Sequence, residues 1–98
     1  MTTTKSPTTF KVDTNHTVAV ADSSAANSTA FQSETRGVRI VCTVDAYVEF
    51  GSAPTAAASS LIVPAYTPEY FRVTPGTKVA FLRVGSVTGT ARVTEVTQ

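Results

Sequence analysis

Residues Leu61 to Val84 read LIVPAYTPEYFRVTPGTKVAFLRV. Their middle, Thr74-Pro75-Gly76-Thr77, has the chemistry of a tight turn. Proline pre-sets φ at the second position of a type II turn, and glycine supplies the positive φ needed at the third. Two strand-like runs rich in apolar, aromatic and β-branched residues flank it, Glu69 to Val73 and Lys78 to Val84. The stretch therefore predicts a β-hairpin. With Thr74 paired to Thr77, Tyr70 falls opposite Phe81 and Arg72 opposite Val79. One face then carries Phe71, Val73, Ala80, Leu82 and Val84 and is expected to line the core. The other carries Tyr70, Arg72, Val79, Phe81 and Arg83. Two aromatics, a valine and two arginines are the mixture found at interface centres, so these five are the candidate subunit interface.

The rest of the chain repeats this pattern in shorter pieces. Val38 to Thr43 alternates with Val38, Ile40 and Cys42 on one face. Ala46 to Phe50 does the same with Ala46, Val48 and Phe50, and Asp45 suggests a turn that makes the two a second hairpin. Leu61 to Val63 is a short strand stopped by Pro64, and Thr90 to Val96 is the last strand. Before these, Phe10 to Val12, Thr17 to Ala21 and Ser28 to Gln32 read as weaker strands. Asp13-Thr14-Asn15-His16 reads as a turn, and both 22–27 and 51–60 as loops. About eight short strands without helical periodicity predict an all-β, antiparallel β-sandwich, taken here as jelly-roll-like. Residues 1–8 are polar and broken by Pro7, which suggests a flexible N-terminal arm. Residues 9–98 form the single domain.

Composition narrows the function classes. The 98 residues carry a formal charge of +1, with acids and bases scattered, and only 15% are charged. The linear sequence has no basic stripe to displace counterions, so nucleic acid and anionic membrane are not expected partners. No segment has the ~20 apolar residues of a membrane helix. The N-terminus has no apolar core of a secretory signal, so synthesis in a cytoplasm is expected.

Catalytic and cofactor chemistry finds little support. His16 is the only histidine, read as a solvated turn residue, and no G-x-S-x-G elbow is present. Cys42, the only cysteine, shares a face with Val38 and Ile40 and reads as a small core hydrophobe. One cysteine and one histidine cannot build a zinc site in one chain, and no phosphate-binding glycine motif occurs. The expectation is a non-enzyme without cofactor or metal. Tyr47, Tyr66 and Tyr70 leave a carbohydrate-binding module open as an alternative.

Val38 to Glu95 resembles small virion proteins of tailed bacteriophages. The residues that carry the likeness are Asp45-Ala46-Tyr47-Val48-Glu49-Phe50-Gly51, Pro54-Thr55-Ala56, Ser59-Ser60 and Leu61 to Pro64. They continue as Pro68-Glu69-Tyr70-Phe71, Pro75-Gly76-Thr77-Lys78-Val79-Ala80 and Thr94-Glu95. The resemblance implies a β-sandwich serving as a capsid cement or decoration protein. It further implies a homotrimer on the virion surface, in contact with the major capsid protein and made in the host cytoplasm. A tail, fibre or adaptor component is the alternative within the same class.

Overall fold

A computed structural model describes residues 11–97. The eight strands are β1 (Lys11–Val20), β2 (Ala25–Ala26), β3 (Gly37–Cys42), β4 (Ala46–Gly51), β5 (Leu61–Val63), β6 (Glu69–Arg72), β7 (Lys78–Arg83) and β8 (Gly89–Thr97). They form two four-stranded sheets, in the orders β1-β8-β3-β6 and β2-β7-β4-β5, with every pairing antiparallel. The all-β sandwich expected from strand spacing is what forms. The expected arm, residues 1–8, lies outside the described residues, as does Phe10.

Alternation decides the core. Val38, Ile40 and Cys42 on β3 face Ala46 and Val48 on β4 across the interior, together with Val18, Val20, Val63, Val79, Phe81, Ala91 and Val93. β-Branched residues dominate this cluster because a stiff branched side chain packs well on a pleated surface. Phe50 of one sheet and Phe71 of the other meet with ring centroids 5.3 Å apart.

The two expected hairpins do not form. The turn at Thr74 to Thr77 is present: Thr77 N donates to Thr74 O at 3.3 Å, and Gly76 has φ of 85°. Yet β6 pairs with β3 in the first sheet, whereas β7 pairs with β4 and β2 in the second. A type II turn has the wrong twist for a two-residue hairpin. Here it carries the chain from one layer to the other, across a gap of about 10 Å. Likewise β3 and β4 lie in different sheets, so Thr43 to Asp45 is also a crossing.

Two further expectations change. The turn read at Asp13 to His16 is a register shift between Val12 and Asn15 inside one continuous strand, β1. Ser28 to Gln32 is not a strand, and the loop read at 22–27 holds β2 instead. Phe31 is nonetheless buried, because backbone bonds Phe31 N to Thr77 O and Gly76 N to Phe31 O, both 2.9 Å, tie its loop to the Pro75 turn.

Candidate interaction surface

The five residues read as an interface divide between two environments. Tyr70 and Arg72 lie on β6, an edge strand, and point outward; Tyr70 is 56% exposed. Val79 and Phe81 are fully buried. Phe81 pairs with Val48 and Val79 with Phe50, so they share the interior face of β4. Arg83 has the same parity at the end of β7. It is half-buried and donates from Nη1 to Thr88 Oγ1 at 2.9 Å. Val79, Phe81 and Arg83 do share a face, but it is the inner one. The assumed hairpin register transferred the outward direction of Tyr70 to its supposed partner Phe81. A turn that crosses between sheets imposes no such parity.

A groove of about 370 Å³ runs beside Tyr70 and Arg72. Arg36, Tyr70 and Arg72 border it, with Gly37 and Val96 among its other lining residues. Gly37 is required there because a Cβ at that position would stand 2.9 Å from Phe71 O. Arg36 O accepts from Val73 N at 3.3 Å, and Arg36 N donates to Val96 O at 3.0 Å, so the backbone on this side is held by three segments.

A second polar feature sits inside the sandwich. Glu95 follows Ala91 and Val93 on the inward face of β8 and is 1% exposed. Its Oε1 accepts from Gln32 N at 3.0 Å and from the Thr35 hydroxyl, and its Oε2 meets His16 Nε2 at 2.5 Å. Burial alone would raise this carboxyl, but the bonds from Thr35, Gln32 and His16 outweigh it and hold the pKa below 4.5. His16 is not a solvated turn residue. Its side chain is 8% exposed on β1, edge-on to Phe31 at 6.1 Å.

The geometry of this group is that of a structural tie. In a catalytic triad the imidazole stands between hydroxyl and carboxylate. Here the carboxylate stands between imidazole and hydroxyl, so the Thr35 hydroxyl donates to Glu95 and not to the imidazole. Strand parity could have placed Glu95 inward with Ala91 and Val93. The loop partners Gln32 and Thr35 left no comparable signal. Cys42 is buried as read, and burial pushes its thiol up to about 11.

The edge of the second sheet presents a third surface. β5 has a single paired neighbour, β4, and Leu61 and Ile62 are each about half exposed. Beyond it, Tyr66 is 72% exposed and held at φ of 56°, with its N–H bonded to Cys42 O at 2.7 Å. No helix among the described residues is long and apolar enough to cross a membrane, and no group of three metal-ligating side chains occurs among them. Comparison with protein-family models, curated proteins and solved structures returns no match.

Proposed function

We propose that this chain is a structural protein of a bacteriophage virion. In this reading it is a cement or decoration subunit that assembles as a homotrimer on the outer shell and contacts the major capsid protein. The observation that carries the reading is the strand order. β1 neighbours β8, β2 neighbours β7, β3 neighbours β6 and β4 neighbours β5. We assign the sandwich to the jelly-roll type on that order, an architecture recurrent in viral capsid domains as well as in lectins. Fold alone does not select among those uses. The resemblance over Val38 to Glu95 favours a virion role, and the surfaces agree with assembly. β5 offers an open edge with exposed Leu61 and Ile62, and β6 offers Tyr70 beside Arg72.

Imaging of purified particles with and without the protein tests this. Density on the outer shell is expected, together with lower resistance to heat and chelators when the protein is missing. Particles that lack it and keep full resistance overturn the cement role. A few copies confined to the tail would move the assignment to a tail or adaptor part.

A further inference from the structure

Charges that are scattered in the sequence are sorted by the fold. On the first sheet, Arg39 is level with Thr94 of β8 and Tyr70 of β6. Arg92 is level with Val41, and Arg72 with Gly37. Arg39 is thus the diagonal neighbour of both Arg92 and Arg72. Such neighbours stand about 7–8 Å apart, so three arginines fall on one diagonal line across three adjacent strands. Arg36 extends the line at the groove.

No carboxylate shares this face among the side chains described. Its outward positions include Val12, Asn15, Thr17 and Ala19 on β1; Thr90, Arg92, Thr94 and Val96 on β8; Gly37, Arg39 and Val41 on β3; Tyr70 and Arg72 on β6. None of the four arginines makes an ion pair among the described residues, where His16 with Glu95 is the pair that forms. Glu95 is consumed inside, Glu49 lies on β4 of the other sheet, and Asp45 is tied to Ala65 N. Glu69 is on β6 but level with the inward Ile40, and Asp22 and Glu34 lie in loops outside the strands.

We propose that this arginine face docks an acidic polypeptide surface, with a carboxylate side chain entering the groove between Arg36, Tyr70 and Arg72. Guanidinium matches carboxylate through two parallel hydrogen bonds, and an unpaired arginine beside an exposed tyrosine is the usual make-up of a binding hot spot. Phosphate chemistry fits less well. Four cations fall short of the roughly 6–10 phosphate contacts that give DNA-binding proteins their strong salt-dependent affinity. A lone exposed tyrosine offers one stacking platform where strand binding uses several. The inference does not rest on the virion reading.

The test is fluorescence anisotropy with the full chain and three labelled probes: a peptide rich in Asp and Glu, its Asn and Gln counterpart, and an oligothymidylate. The acidic peptide should bind, weaken with added salt, and lose at least about tenfold in affinity with Arg39→Gln plus Arg72→Gln. Lys78→Gln, on the other sheet, should leave binding unchanged. Arg72→Gln alone, at an exposed edge position, serves where the double variant does not fold. Absence of acidic-peptide binding, binding indifferent to these arginines, or tighter arginine-dependent binding of the oligothymidylate overturns the proposal. No particle is needed, so failure here and failure of the virion reading are separate results.

Discussion

The carboxylate of Glu95 and the imidazole of His16 meet at 2.5 Å although 79 positions separate them in the chain. β1 and β8 are neighbours, and this contact joins their inward faces near the loop that carries Gln32 and Thr35. Glu95→Ala would leave the Thr35 hydroxyl, the Gln32 N–H and the imidazole without their common acceptor. A loss of about 3 kcal/mol is expected, read from urea unfolding. A loss under about 1 kcal/mol would show that water replaces the carboxylate freely.

The same carboxyl sets an acid limit. Unfolded, it titrates near 4.5; folded, its pKa is lower because Thr35, Gln32 and His16 favour the charged form over the opposing effect of burial. Its contribution is therefore complete above pH 4.5 and is lost as pH falls through the depressed native value. Melting temperatures measured from pH 7 to pH 3 should fall steeply on the acid side. Glu95→Gln should flatten that decline, and an unchanged slope would remove Glu95 from the account.

Phe81 and Tyr70 separate core from surface. Phe81→Ala empties a fully buried site and should cost about 3–5 kcal/mol. Tyr70→Ala, on the exposed side of an edge strand, should change stability by no more than about 0.5 kcal/mol. Equal effects would contradict the placement of β7 described above.

Cys42 should be silent toward a thiol reagent in the folded protein at pH 8. It is buried, and its thiol is pushed up to about 11. Reaction should reach one equivalent only in denaturant. Fast labelling of the native chain would mean that β3 opens readily.

Tyr66 stores backbone strain. A bulky side chain at φ of 56° is a steric outlier, whereas asparagine tolerates that region. Tyr66→Asn should raise stability by about 0.5–1 kcal/mol in a thermal melt. A lower melting temperature would show that the exposed ring makes a contact worth more than the strain.

Strand content was legible because it is local. Val38, Ile40 and Cys42, or Ala46 and Val48, show their inward side by alternation alone, and each is buried. Pairing was not legible. Thr74 to Thr77 is a turn in sequence and in structure, but nothing within it says whether the next strand returns beside the last or crosses to another layer. That one ambiguity reversed Val79, Phe81 and Arg83, while Tyr70 and Arg72 point outward as read. The arginine face was hidden for the same reason. Arg39, Arg72 and Arg92 are far apart in the chain, and only the registers β3 to β6 and β3 to β8 align them.

The nested pairing of strands has a consequence for how the chain reaches its folded form. β4 with β5 is the one paired couple that is consecutive in sequence. Every other couple closes a longer loop, up to Lys11 beside Thr97. Nucleation is thus favoured at the 52–60 bend, with closure spreading toward the ends, and such non-local assembly is slow, on the order of milliseconds to seconds. β8 lies between β1 and β3, so without residues 89–97 in place β1 has no partner strand and the first sheet exists only as separate pieces.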